Sequence, residues 1–548
     1  MEACSIPVLN GQPISQYFPF KEYRVHQRET LDKIEAALRV GKRYVIVEAP
    51  TGAGKSPMAV SAGLWAESAY ILTSQKILQD QYTKDFADGN DISVIKGRGN
   101  YECNFLGAPA SCNECYEPAK KNCIANSECF YYNAKAQAVA AKVALMNYAY
   151  FLSMMECDPS KKFGKRGLLI MDECHNIEKQ LMSYIEFVIS EFTFKQYGYP
   201  VSIPEYEDIE QYVKWIETNH NGIVELMKSK QGRITYLNER RAAFSKTSRE
   251  FATLSLEVKE LSEAAEDLDR LNRRIRQFLE TIGRVEWIFT VEYTEKTHTR
   301  RVTFRPLTVS HFAYEALFQH GEQCLLMSAT ILDHHSFCRS LGIPMDQVEF
   351  ISVESTFPPE IRKIIFTNTG AMSMSGLTAT LPNIARDIKK ALNYHKLEKG
   401  IIHCHTYKIA NYIKENVNSD RFIFHDSSDR DAKLAQFIGS KTPKVLVTPS
   451  MTEGVDLKGD LARWEVIIKI PYLYLGDKQI SRRMQVDPEW YNWQTCLVLV
   501  QSYGRIFRAE DDWGTAYVFD SGAPYFIKKN QSILPKWFLD AIVQKKRS

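Results

Sequence analysis

Short apolar runs without polar alternation mark much of this chain, and patterns of this strand type alternate with helical ones from about residue 24 to 98 and again after Cys129. Tyr44 to Val47 and Leu168 to Met171 are such runs. They suit strands buried on both faces, as in a parallel sheet covered by helices. A second unit of the same kind begins near residue 350, with strands expected at Ile401 to Cys404, Arg421 to Phe424, Val445 to Thr448, Val466 to Lys469 and Ala516 to Phe519. Between Glu178 and about Arg284 the period changes. Leu254, Val258, Leu261, Ala265, Leu268, Leu271, Ile275, Phe278 and Ile282 recur at steps of three and four, which predicts a long amphipathic helix. Ile209, Tyr212, Val213, Ile216, Ile223 and Met227 offer a shorter partner. Val285 to Phe304 then alternates around Thr294-Glu295-Lys296-Thr297-His298, as a hairpin does.

Composition adds limits. A length of 548 residues allows three or four domains, and 45% apolar content suffices for their cores. The net charge of +3 is too small to signal nucleic-acid binding, which would have to come from local patches. Ala134 to Met155 is the most apolar region, but Lys135 and Lys142 interrupt it, so no membrane-spanning segment is expected. Met1 to Asn10 has neither the basic start nor the long apolar stretch of a signal peptide. A soluble, cytoplasmic protein is therefore expected.

Three strings carry the chemistry. Ala49-Pro50-Thr51-Gly52-Ala53-Gly54-Lys55-Ser56 follows the first apolar run. Its small residues let backbone N–H groups approach a polyphosphate, Lys55 meets the outer phosphates and the Ser56 hydroxyl meets Mg²⁺. Ala49 stands where the usual pattern has its first glycine, and Pro57 falls in the first helical turn, where proline is tolerated. Asp172-Glu173-Cys174-His175 ends the second run, at the C-terminal end of its strand, where open α/β sheets bind ligands. There Asp172 would hold Mg²⁺ through water and Glu173 would orient or deprotonate the attacking water. Gln501-Ser502-Tyr503-Gly504-Arg505-Ile506-Phe507-Arg508 supplies positive charge, with Arg505 and Arg508 expected on one helix face. A guanidinium reaching a γ-phosphate from a second domain accelerates hydrolysis by roughly three to five orders of magnitude.

Five of the twelve cysteines, Cys103, Cys112, Cys115, Cys123 and Cys129, cluster in one segment. Disulfides, zinc and an iron-sulfur cluster are the three readings. The missing signal peptide disfavours disulfides, and only Cys112 and Cys115 have the close spacing of a zinc ribbon. Iron-sulfur ligation takes four thiolates at irregular spacing. Lys96, Arg98, Lys120 and Lys121 surround Tyr101 and Phe105 in the same segment. That mixture suits a single strand, which wants cations for its backbone and aromatic faces for its bases; a solvated loop surface reads equally well.

With these strings the chain resembles the XPD/DinG-like branch of the superfamily 2 helicases over nearly its whole length. Tyr23-Arg24-Val25-His26-Gln27 resembles the adenine-contacting Gln motif, Thr73-Ser74-Gln75-Lys76-Ile77-Leu78-Gln79-Asp80-Gln81 motif Ia, Met327-Ser328-Ala329-Thr330 the S-A-T motif and Glu453-Gly454-Val455-Asp456 motif V. Cys174 replaces the usual Ala of D-E-A-H, and Ile401-Ile402-His403-Cys404-His405-Thr406 is only loosely like motif IV. Lys96-Gly97-Arg98-Gly99-Asn100-Tyr101-Glu102-Cys103 and Cys129-Phe130-Tyr131-Tyr132 resemble the flanks of the family's cluster ligands.

The resemblance implies an α/β fold of two RecA-like lobes, with an iron-sulfur insertion and a helical arch in the first. It divides the chain into first-lobe segments 1–99, 131–182 and 293–348, a cluster domain at 100–130, an arch at 183–292 and a second lobe at 349–548. ATP and Mg²⁺ would be held by Arg24, Gln27, Pro50, Thr51, Gly52, Ala53, Gly54, Lys55, Ser56, Asp172 and Asp456, with Glu173, Gln501, Arg505 and Arg508 completing catalysis. A [4Fe-4S] cluster would be held by Cys103, Cys123, Cys129 and, in preference to Cys112, Cys115. Thr73, Lys76, Arg98 and Tyr101 would touch DNA. The implied activity is that of a monomeric ATP-dependent motor moving 5′ to 3′ on single-stranded DNA and opening forks. The alternative is a nucleic-acid-stimulated ATPase that strips protein from DNA without unwinding it.

Overall fold

The computed structural model describes residues 11–86, 91–104, 129–157, 163–245, 248–426, 428–449, 457, 459–507 and 512–543. Among these, seven parallel strands form the first sheet, in the order Val348–Ser352, Tyr44–Glu48, Gly321–Ser328, Arg166–Asp172, Ala69–Thr73, Val143–Asn147 and Ile92–Val94. Alternate residues of each strand enter different cores. Val45, Val47, Ile71, Leu145, Ile170 and Leu325 pack on one face with the helix Lys55–Trp65. Ile46, Tyr70, Leu72, Met146, Leu169 and Leu326 pack on the other. Burial on both faces explains why these strands read as unbroken apolar runs.

A second parallel sheet follows the order Arg362–Gly370, Gly514–Asp520, Trp464–Ile467, Gly400–His403, Val445–Thr448 and Phe422–Phe424. The expected strands are all here, displaced by at most two residues at their ends. Arg362–Gly370 was not expected, since Thr367, Asn368 and Thr369 dilute its apolar signal. The expected boundary at 348/349 is also corrected. Val348–Ser352 pairs with Tyr44–Glu48 and closes the edge of the first sheet, so the second sheet starts only at Arg362.

Two antiparallel helices, Ile209–Arg241 and Arg249–Thr281, build the arch. Ser248 caps the second, its side chain accepting from the Phe251 N–H, and Leu254, Val258, Leu268, Ile275 and Phe278 are buried along it. Its partner runs well past the expected Met227. A three-stranded antiparallel sheet, ordered Phe187–Ser190, Thr299–Pro306, Trp287–Thr294, carries the pair. Phe187 stacks on Phe304 with ring centroids 4.9 Å apart, and Phe278 meets Trp287 edge-on at 5.1 Å. The boundary expected at 292/293 therefore cuts a strand: helices and sheet share one aromatic core, and the unit runs from 187 to 306.

The second sheet docks on the first through the helices Lys478–Val486 and Pro488–Tyr503. Arg483 pairs with Glu178 at 3.3 Å, and the Trp490 indole donates to the same carboxylate at 3.0 Å. Trp493 donates to the Ile331 carbonyl at 2.7 Å, and Arg339 meets Asp487 at 3.2 Å. No helix among the described residues is long and apolar enough to cross a membrane.

Candidate functional site: the cleft between the lobes

A cavity of about 400 Å³ opens where the C-terminal strand ends of the first sheet face the second lobe. Pro50, Thr51, Lys55, Glu173, Thr330, Gln501 and Arg505 line it. Sequence positions hundreds of residues apart thus meet on one surface, in the topology that places ligands at strand C-termini.

The phosphate loop turns sharply between Tyr44–Glu48 and Lys55–Trp65, with Gly52 at φ 87° and Gly54 at φ 76°. The left-handed φ demands glycine at Gly54, and a Cβ there would lie 1.9 Å from Gln27 Nε2 and displace that amide. The Lys55 ammonium donates to the Ala49 carbonyl at 3.1 Å, which holds it across the loop where phosphate oxygens would bind. Arg24 donates to the Gly52 carbonyl at 2.6 Å. Gln27 donates to the Gly54 carbonyl at 3.1 Å and accepts from the Arg24 N–H at 2.6 Å. Buried in this way, Gln27 braces the loop from behind.

Asp172 ends its strand buried, and Glu173 follows in the left-handed region at φ 51°. This kink points successive carboxylates in different directions. Tyr82 donates to Asp172 Oδ2 at 2.9 Å and also interacts with the Ser56 hydroxyl. One phenol thereby joins the two side chains expected to serve Mg²⁺. Burial, then the neighbouring Glu173 charge, push the Asp172 carboxyl up to about 6, against the pull of Lys55 and Tyr82. A buried carboxyl beside a second one and a hydroxyl is a donor set suited to a hard divalent cation, and Mg²⁺ fits it.

His175 and Asn176 extend this end of the site. Asn176 donates to His175 Nε2 at 2.9 Å, which leaves Nδ1 to carry the proton. Nδ1 lies 2.7 Å from Ser328 Oγ and 3.3 Å from Glu173 Oε2. Ser328 Oγ accepts from the Thr330 N–H at 3.1 Å, and Thr330 Oγ1 accepts from Gln501 Nε2 at 3.2 Å. Glu48 accepts from both the Ile331 and Leu332 N–H groups at 2.7 Å, fixing the chain after the S-A-T string. Thr330 belongs to the S-A-T string, but Tyr82 and Glu48 were not among the expected site residues. Nothing local in the sequence singles those two out, because their partners lie 90 or more positions away.

Gln501 lines the cleft, but the placement expected for Arg505 needs correction. The helix ends at Tyr503, so Arg505 stands beyond it and not on a helix face. Arg505 Nε instead folds back to the Gln501 carbonyl at 2.9 Å. Arg508 and Asp456 lie outside the described residues, as do Cys112, Cys115 and Cys123.

Cys103 and Cys129 are buried thiols at either end of the undescribed stretch 105–128. Among the described residues no three His, Cys, Asp or Glu side chains are grouped to hold a metal. Of the expected DNA contacts, Lys76 is exposed and donates to Asn100 Oδ1 at 3.1 Å. Thr73 is fully buried and turns its hydroxyl to the Gln75 carbonyl, which corrects its assignment as a surface contact. Arg98 is paired with Glu266 of the arch. The Tyr101 hydroxyl accepts from the Lys96 N–H at 3.1 Å, and its ring meets Tyr131 edge-on at 5.7 Å.

Two family models match the chain: a Type III restriction enzyme res subunit over residues 20–215 and a helicase C-terminal domain over residues 394–541. The ATP-dependent DNA helicase YoaA of Escherichia coli is 23% identical, the match spanning 93% of each chain. The YoaA helicase of Haemophilus influenzae is 20% identical over 90% of this chain and 91% of its own. A solved XPD helicase superposes with a TM-score of 0.61 at 16% identity, covering 94% of this chain and 98% of that one. Xpd4 of S. tokodaii gives 0.57 at 14% identity, covering 95% and 100%. The chain is thus similar along nearly its whole length to the XPD/DinG-like superfamily 2 helicases, and it carries their fold of two RecA-like lobes.

Proposed function

We propose that this protein is an ATP-dependent DNA helicase that moves along single-stranded DNA in the 5′ to 3′ direction and opens forked duplexes. The observation that carries the reading is the cleft itself, where Lys55 and Glu173 of one lobe face Gln501 and Arg505 of the other. ATP bound there has its phosphates on the loop 50–56, with Arg24, Gln27 and Asp456 supporting the nucleotide. Ser56 and Asp172 would hold Mg²⁺, which would supply positive charge against the phosphates.

Glu173 orients water against the γ-phosphate. Arg505 and Arg508 meet the charge that develops as the bond breaks, and they do so best when the lobes close. Closure and release shift the second lobe along the strand, for which Lys76, Arg98 and Tyr101 are the contacts we assign to the first lobe. Cys103 and Cys129 are suited to two positions of a four-thiolate site, with Cys123 and Cys115 supplying the others. Bound there, a [4Fe-4S] cluster would cross-link the segment between them.

The test is a pair of duplexes with a single-stranded tail on either the 5′ or the 3′ side. ATP-dependent opening of the 5′-tailed substrate alone is expected. ATP turnover stimulated by single-stranded DNA without opening of either duplex would favour the protein-stripping ATPase instead, and no stimulation would remove both readings.

A further inference from the structure

Five residues after Glu173 stands a second glutamate that the proposed mechanism does not use. Glu178 lies in the first turn of the helix Ile177–Ile185, which begins directly after the acidic string and its short turn. Its side chain is 12% exposed, and its carboxylate reaches across to the second lobe. Arg483 Nη1 lies 3.3 Å from Oε1, while Oε2 accepts from the Trp490 indole at 3.0 Å and from Gln494 Nε2 at 3.4 Å. Arg483 is itself buried. It also donates to the Leu307 carbonyl at 3.0 Å, and its guanidinium carbon lies 4.5 Å from the Trp490 ring centroid. An arginine and an indole can only donate, so an ionised carboxylate serves both. Burial raises the Glu178 carboxyl, and the Arg483 charge is the strongest influence opposing it.

Two of the gripped residues share a helix with Gln501. In Pro488–Tyr503, Trp490, Gln494, Leu497 and Gln501 follow one another at steps of four, three and four, which puts them on one face. Glu178 holds the start of that face, and Thr330 Oγ1 accepts from Gln501 at its end. Between them Trp493 donates to the carbonyl of Ile331, the residue after Thr330. The helix also divides its packing: Trp490, Trp493 and Leu497 enter the core of the first lobe and arch, whereas Leu499, Val500 and Tyr503 enter that of the second lobe. It is the rigid piece the two lobes share. Its seat on the first lobe therefore sets where Gln501, and Arg505 just past its end, stand against Lys55 and Glu173 across the cleft.

We propose that Glu178 is a positioning residue for the catalytic groups of the second lobe. By gripping Trp490, Gln494 and Arg483 it seats the helix that carries Gln501 and leads into Arg505, so that both groups meet the nucleotide bound on the first lobe. This inference rests on the catalytic reading of Gln501 and Arg505 given above. Because Glu178 follows the acidic string by only a few residues, one short segment both orients water and places the groups that oppose it. The competing arrangement is a docking contact that stabilises the joined lobes and leaves turnover unaffected.

Kinetics separate the two. With single-stranded oligonucleotide saturating, Glu178→Gln, which keeps the size of the side chain but not its charge, should lower kcat for ATP about tenfold. KM should change by less than about twofold, because the phosphate loop of the first lobe still holds the nucleotide. Trp490→Phe removes one donor and keeps the ring packing, which guards against a glutamine variant that folds poorly; it should lower kcat about threefold. The double variant Glu178→Gln/Arg505→Ala should be no slower than Arg505→Ala alone, since residues acting as one unit are not additive. Unchanged kcat in Glu178→Gln or Trp490→Phe, whatever happens to the melting temperature, or losses that multiply in the double variant, would overturn the proposal. If Arg505→Ala itself turns over normally, the catalytic reading of Arg505 falls and this inference falls with it; if only the Glu178 and Trp490 variants are normal, that reading stands alone.

Discussion

His175 Nδ1 and Ser328 Oγ lie 2.7 Å apart, which ties the acidic string that ends one strand to the S-A-T string that ends its neighbour. From Ser328 the contacts run through Thr330 to Gln501 of the second lobe. Glu173, the carboxylate proposed to orient water, is therefore linked to the opposite lobe by short polar contacts, in addition to the nucleotide that would lie between them.

Ser328→Ala should break this chain at its centre. A neutral hydrogen bond contributes about 1 kcal/mol, so DNA-stimulated ATP turnover should fall by no more than about fivefold. Unwinding should fall much further, because the lobes would no longer respond together. The measurement is base pairs opened per ATP hydrolysed. A constant ratio would show that Ser328 serves hydrolysis alone.

Lys55→Ala and Glu173→Gln should both abolish DNA-stimulated ATP hydrolysis, for different reasons. The lysine change removes charge from the phosphate site and should weaken nucleotide binding. The glutamate change spares Asp172 and its Tyr82 contact, so binding of a fluorescent ATP analogue should persist. Turnover near the parent level in either variant would argue against the site.

Arg505→Ala and Arg508→Ala should each reduce kcat by about a hundredfold or more, with a smaller change in KM, because their charge matters most as the phosphate bond breaks. A rise in KM without loss of kcat would identify them as binding residues.

How much of this was legible depended on how local the cause was. The phosphate loop declares itself because small residues, Lys55 and Ser56 must follow one another to cradle phosphates. The strands with both faces buried declared themselves by unbroken apolar runs. Val348–Ser352 did not, because it is an edge strand with Glu349 exposed, and so it seemed to start the second lobe. The grip of Tyr82 on Asp172 spans 90 positions and leaves no local trace. Gln27 was expected for its nucleotide contact, yet its packing against Gly54 depends on the left-handed turn that only the folded loop shows. The expectation for Arg505 failed for a related reason: spacing of three suggests one helix face, but the helix stops at Tyr503.

Cys103 and Cys129 are both buried and neither lines the ATP cleft, so their loss should leave basal ATP hydrolysis largely intact. Protein purified without oxygen should be brown and hold roughly four irons. Cys103→Ser, Cys123→Ser and Cys129→Ser should each lose iron and unwinding together, because three thiolates cannot complete a cluster that needs four. Of the remaining pair, Cys115→Ser should behave in the same way and Cys112→Ser should keep its iron, since a fifth cysteine contributes no iron bond. Iron loss confined to Cys112→Ser would reverse that choice. One zinc per chain with no visible absorption would replace the cluster with a zinc site, and the unwinding assays would then have to be explained by a zinc-stabilised segment instead.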